Sequence, residues 1–217
     1  MRMQSALAVV VLVTGLLTGG SPSRAVLAQG DCFDRPPTIM GTGVITGTPG
    51  DDVILGSSGV DVIDGGEGDD RICSEGGDDL IVGGGGNDRI DGGDGNDTLI
   101  GDDGDDEIYG RDGEDRIVGG DGRDEMRGGD GADWIVGGIG RDYLSGGDGN
   151  DLLLGGDDDD EVRGGDGNDQ LYGGSSDDVL DAGDGIDRLD GGEGIDDCDG
   201  GSEIDTSVNC ETLKELP

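Results

Sequence analysis

Aspartate returns at every ninth residue across most of this chain, as Asp52, Asp61, Asp70, Asp79, Asp88, Asp97, Asp106, Asp115, Asp124, Asp133, Asp142, Asp151, Asp160, Asp169, Asp178, Asp187 and Asp196. Carboxylates are hard oxygen donors. A long row of them among flexible glycine loops suits Ca²⁺, which takes about six to eight oxygens from carboxylates and backbone carbonyls. Mg²⁺ fits less well, because it demands stricter octahedral geometry and holds its waters. Zinc and copper are poorly served by a chain with no His and four scattered Cys. Paired carboxylates also do acid and base chemistry in glycosidases, but that needs a substrate cleft, which a repeat of identical loops does not supply. Neither a His-Glu-x-x-His helix nor a Gly-x-Ser-x-Gly elbow is present, so the sequence reads as non-enzymatic.

The elements that must hold these carboxylates follow from the residues between them. Written Gly-Gly-x-Gly-x-Asp-x-U-x, with U a large apolar residue, the unit is plain in residues 146–154 and repeats seventeen times over residues 47–199. Its eighth place reads Ile54, Ile63, Ile72, Ile81, Ile90, Leu99, Ile108, Ile117, Met126, Ile135, Leu144, Leu153, Val162, Leu171, Leu180 and Leu189, with Cys198 closing the row. The first six places are turn formers and the last three are strand formers, so strand and turn alternate at constant spacing. That predicts an all-β fold: a parallel β-roll, or β-helix-like solenoid, with two nonapeptides in each turn of the coil and a cap at both ends. The eighth-place residues of its two faces meet inside as a thin ladder. Turns stacked about 4.8 Å apart make a rod of roughly 40 Å and set the loop of each unit beside that of the next but one. Asp133 should then neighbour Asp151, and Asp142 should neighbour Asp160.

With these residues in place, the chain resembles the hemolysin-type calcium-binding repeats, also called RTX repeats, of secreted bacterial calcium-binding proteins. The resemblance implies that the sixth-place aspartates and loop carbonyls hold Ca²⁺ between adjacent turns. Because each site needs two loops of one edge, the row allows at most about fifteen interior sites. Units in which Ser74-Glu75-Gly76, Thr48, Ser57, Asp102, Arg111, Asp158 or Ser176 replaces a pattern residue should bind less regularly. The stacked carboxylates repel one another without ions, so folding and calcium uptake are expected to be one event. Asp94, Asp121, Asp130, Asp148 and Asp166 at the third place read as solvated, and Asn87, Asn96, Asn150 and Asn168 at the fifth as turn residues.

Composition excludes an ordinary globular core: 52 Gly, one Trp and one Phe leave about one apolar anchor per repeat. Residues 1–28 read as a signal peptide, with Arg2 ahead of about 12 apolar residues, too few for the roughly 20 that span a bilayer. The expected organisation is that signal peptide, an N-terminal cap at 29–46, the calcium-binding roll at 47–199 and a C-terminal cap at 200–217. In the cap, Val208, Leu213 and Leu216 would close the open end. With 53 acidic and 13 basic residues, the formal charge is −40. Such a field repels nucleic acid and anionic membrane and attracts multivalent cations. A secreted, extracellular location follows, where calcium is plentiful and thiols oxidise. Cys32, Cys73, Cys198 and Cys210 allow three pairings there. A Cys198–Cys210 bond would pin the C-terminal cap, and a Cys32–Cys73 bond the N-terminal segment. Two functions fit the pattern: a calcium-binding roll with a structural or interaction role, or a calcium-dependent adhesin presenting a face to a cell-surface or extracellular partner.

Overall fold

Strand and turn alternate as the repeat demands, but the boundary between them lies elsewhere than expected. The strand Trp134–Ile139 starts at the seventh place of one unit and runs through the third place of the next. The turn is therefore only the fourth to sixth residues. The opening glycines belong to the strand because the first of them faces inward, where there is no room for a side chain. A Cβ on Gly92 would lie 2.5 Å from the Asp97 Oδ2 and 3.0 Å from the Gly110 carbonyl oxygen.

The computed structural model describes Cys32, Phe33 and residues 35–214; the expected signal peptide lies outside the described residues. After two short strands, β1 (Ile39–Met40) and β2 (Val44–Thr46), each repeat contributes one strand, from β3 (Val53–Ser57) to β18 (Arg188–Glu193). Three more follow: β19 (Asp197–Asp199), β20 (Thr206–Val208) and β21 (Thr212–Lys214). Odd strands form an 11-stranded parallel sheet and even strands a 10-stranded one. From β2 to β20 each strand pairs with the strand two ahead at an offset of two repeats, as in Leu99↔Ile117 and Ile117↔Ile135, while the end pairs β1–β3 and β19–β21 are offset by fifteen residues. This is the parallel β-roll with two nonapeptides per turn.

Between the sheets the eighth-place residues stack in one column, and every one from Ile54 to Cys198 is at most 1 % exposed. Seventh- and ninth-place side chains alternate outward, as the pleat requires. The coil extends beyond the repeats at both ends. Ile45 is buried against Ile63 one rung before the first unit, and Thr206–Val208 adds a rung below β18. Val208 is 49 % exposed and so does not close the end by burial; Leu216 lies outside the described residues. The ends are covalently tied: Cys32 is bonded to Cys73 and Cys198 to Cys210, with Cα atoms 5.8 and 5.9 Å apart.

Candidate metal centre

The strand-to-turn geometry aims each sixth-place carboxylate back into the roll. Asp61 to Asp196 are at most 3 % exposed and Asp52 is 7 % exposed. Each carboxylate from Asp70 onward uses its Oδ1 to accept a hydrogen bond from the backbone N–H of the aspartate one turn earlier, at 2.7–2.9 Å. Two ladders of aspartates result, one along each edge. Asp133 is linked to Asp115 and Asp151, and Asp142 to Asp124 and Asp160.

The second oxygen is the unusual one. From Asp70 to Asp196, fifteen Oδ2 atoms are buried with no hydrogen-bond partner. A buried, unsatisfied anionic oxygen is costly, and the group responds by holding its proton. Burial pushes Asp160 up to about 8, and Asp97, Asp106, Asp133 and Asp142 up to about 7. Asp70, Asp88, Asp124, Asp169 and Asp178 rise to about 6, again chiefly through burial. Carboxylates one turn away add repulsion, as Asp142 and Asp178 do at Asp160.

Asp52 and Asp61 stand apart. The Asp52 Oδ2 accepts from the Thr48 N–H at 2.7 Å and the Thr48 hydroxyl at 2.9 Å; the Asp61 Oδ2 accepts from the same two groups of Ser57 at the same distances. At Asp52, burial pushes upward, but the hydrogen bonds from Thr48 and Thr38 outweigh it and leave the carboxyl below its ordinary value. Where the Oδ2 atoms of the other fifteen lack a hydrogen-bond partner, these two have a hydroxyl; among the fifteen, Asp79 has the Ser74 hydroxyl near enough to lower its carboxyl against the push of burial.

The donor set fits a hard cation. It offers orphaned carboxylate oxygens beside backbone carbonyls, such as Asp97 Oδ2 and the Gly110 oxygen that both crowd Gly92. Every cysteine is in a disulfide, which leaves no thiolate. Among the described residues, no three His, Cys, Asp or Glu side chains converge on one point. An ion here would therefore complete its shell from loop carbonyls, as calcium does.

Several residues stand differently from the sequence expectation or go beyond it. Asp205 is an eighteenth rung, its Oδ1 accepting from the Asp187 N–H at 2.9 Å, and the Glu211 Oε2 ends the other edge by accepting from the Asp196 N–H at 2.8 Å. The phase of Asp205, nine after Asp196, is the available signal. Ala182 occupies a first place otherwise held by Gly or Ser. Glu75, Asp102 and Arg111 at the second place, and Asp158 and Ser176 at the fourth, keep a left-handed backbone with φ between 76° and 88°. Asp94, Asp121, Asp130, Asp148 and Asp166 are exposed, as expected. The fifth-place asparagines do more than turn the chain: the Asn87 Oδ1 accepts from the Asp105 N–H, and the Asn150 Oδ1 from the Asn168 N–H, at 2.9 and 2.8 Å. This outer ladder runs opposite to the inner one, each side chain serving the turn after it. Trp134 and Tyr143, a similar pair by sequence, lie on opposite sheets.

A family model described as "RTX calcium-binding nonapeptide repeat (4 copies)" matches nine overlapping segments that together span residues 46–206. No curated protein matches the chain.

Proposed function

The chain belongs to the RTX calcium-binding nonapeptide repeat family, and from that premise we propose that it is a secreted, non-enzymatic β-roll that folds as it takes up Ca²⁺ and then serves a structural or interaction role. Family and fold together support calcium binding by a structural roll. The observation that carries the rest is the row of fifteen buried Oδ2 atoms without partners. Each carboxylate is oriented by the hydrogen bond at its Oδ1, which leaves Oδ2 as the free ligand atom. Bound Ca²⁺ supplies the positive charge that these oxygens lack. The residues that hold it are the sixth-place aspartates from Asp70 to Asp196, with loop carbonyls of the same edge. Asp52 and Asp61 complete the first turn through Thr48 and Ser57, so that turn forms without an ion.

Divalent ions along this row would offset most of the −40 formal charge, which is why folding and ion uptake are coupled in this reading. Residues 29–46 and 200–217 act as caps on the 47–199 roll. Extracellular release accords with the disulfides, which form in oxidising compartments. A non-enzymatic role accords with the family and the fold, a roll of stacked, nearly identical repeats. The test is circular dichroism through a calcium titration, paired with calorimetry. β-structure should appear over the millimolar range typical of extracellular calcium modules, about 10⁻⁴ to 10⁻³ M. A spectrum that is the same in chelator and in calcium would refute coupled folding, and calorimetry without a binding isotherm would refute calcium binding itself.

A further inference from the structure

The two outer faces of the roll are unlike. On the six even strands from Leu80–Gly85 to Gln170–Ser175, twelve side chains point outward from the seventh and ninth places, and Arg116 alone is charged. On the six odd strands from Arg71–Glu75 to Glu161–Asp166, eight of the corresponding twelve are charged. That charged face satisfies itself: Arg89 pairs with Glu107 at 2.9 Å and Arg163 with Glu161 at 2.6 Å, while Arg111 and Arg127 stack on the Tyr109 ring at 4.7 and 5.4 Å. The uncharged face has one such contact, at its end, where Arg188 of the next strand lies over the Tyr172 ring at 5.7 Å. Its ninth place forms one aligned row of Val82, Ile100, Val118, Val136, Leu154 and Tyr172, each in register with the next. Beside that row, Leu80 is 39 % and Trp134 40 % exposed.

We propose that this face is a docking surface for a second copy of the same chain, joined face to face about a two-fold axis. Charge selects the occupant. A second chain of formal charge −40 is repelled by the acidic loops of both edges, and this stripe carries no carboxylate at its twelve outward positions. Asp102, Asp103, Asp121 and Asp157 border it on one side, at the second and third places, and Asp78 and Glu114 on the other, at the fifth. Shape agrees, because both copies share one rung spacing and flat parallel sheets pack face to face about 10 Å apart. A two-fold axis through the middle of the stripe falls between the Arg116 and Trp134 rungs, and brings each Arg116 toward the other copy's indole, a cation–π arrangement. Six rungs about 4.8 Å apart and a width of about 10 Å give a footprint of roughly 300 Å² per copy, the size at which an apolar patch on a monomer becomes functional. That area lies below what a permanent dimer buries, so the association is weak and reversible.

The dimer requires the folded roll and so rests on the calcium reading only through folding; circular dichroism on the same samples separates the two. Sedimentation velocity over about 1–200 µM protein, in whichever buffer shows the β spectrum, should find the parent moving from monomer to twice its mass. Val136→Asp, and separately Trp134→Lys as a change at a more exposed position, should weaken association at least tenfold with the spectrum intact. Ser145→Asp, outward at the ninth place of the charged sheet, should associate like the parent. A folded parent that stays monomeric throughout overturns the proposal, whatever else the face binds. Equal weakening by Trp134→Lys and Ser145→Asp overturns it as well.

Discussion

Replacing Asp133 separates the carboxylate's two roles, because Asn and Ala remove different parts of it. In the structure its Oδ1 accepts the Asp115 N–H at 2.8 Å and its Oδ2 has no partner. Asp133→Asn keeps an oxygen for the N–H and removes only the charge and the free ligand atom. Asp133→Ala also strands the buried N–H, an added cost of about 1–3 kcal/mol. In the two-loop arrangement Asp133 serves two sites, one with Asp115 and one with Asp151. At about 10 mM calcium and site affinities of about 10⁻⁴ to 10⁻³ M, each site contributes roughly 1.4–2.7 kcal/mol by mass action. The Asn variant should therefore lose about 3–5 kcal/mol in calcium, and the Ala variant about 4–8. Calorimetry should show two fewer ions for both. Without calcium the Asn change should reverse sign, because the carboxyl it removes is pushed up to about 7 by burial and by Asp115 and Asp151. Thermal unfolding in calcium, and in chelator with enough osmolyte to hold the roll, reads both signs. Equal destabilisation by Asn in the two buffers would show that the Asp133 charge serves no calcium site; sites lost equally from both edges would refute the two-ladder geometry.

Acid should act as a partial substitute for calcium. Asp97, Asp106, Asp133 and Asp142 at about 7 and Asp160 at about 8 lie above the ordinary 3.8, so the roll holds protons that the unfolded chain has lost. Stability without ions is thus fully present below the ordinary carboxyl value and is lost progressively as pH rises from about 4 to about 8; the β signal in chelator should grow from pH 8 to 5 while apparent calcium affinity falls, and a flat or opposite pH response counts against the buried carboxylates. Thr48→Gly with Ser57→Gly removes the hydroxyls from Asp52 and Asp61 and should cost about 1–3 kcal/mol in all, with hydrogen exchange quickening in the first turn more than elsewhere. Uniform quickening along the roll would contradict a self-sufficient first turn. Gly149→Ala meets both a φ of +152° and a Cβ that overlaps the Gly131 carbonyl oxygen, so it should destabilise the calcium form by several kcal/mol. Unchanged thermal unfolding would show that the turns are not packed as described.

Much of the architecture is legible in the sequence because two rows share one phase. Asp133 and Ile135 belong to rows that recur together in every unit, and only a coil of two nonapeptides per turn puts both rows on consistent sides. The strand limits are not legible. Glycine reads locally as a turn former, and nothing short of the packed carboxylate shows that Gly92 is a strand residue facing inward. Thr48 and Ser57 look like departures from a pattern; only the distance to the aspartate four residues on reveals a hydroxyl standing where other units have none. The contrast between the faces escapes for a different reason. Neighbours such as Val118 and Val136 are two repeats apart, with Arg127 of the opposite sheet between them, so their common row emerges only when alternate repeats are read as separate sheets.

That alternation restricts how such a chain can change length. Deleting one nonapeptide leaves every unit well formed, yet turns everything after it through half a revolution. With residues 110–118 removed, Arg127 would continue the row of Ile100, and Val136 that of Tyr109. The core column would survive, but the apolar row would break off and resume on the other side. Only steps of two repeats keep each face continuous, so the heritable unit of this protein is a pair of repeats, and its length is quantised in whole turns.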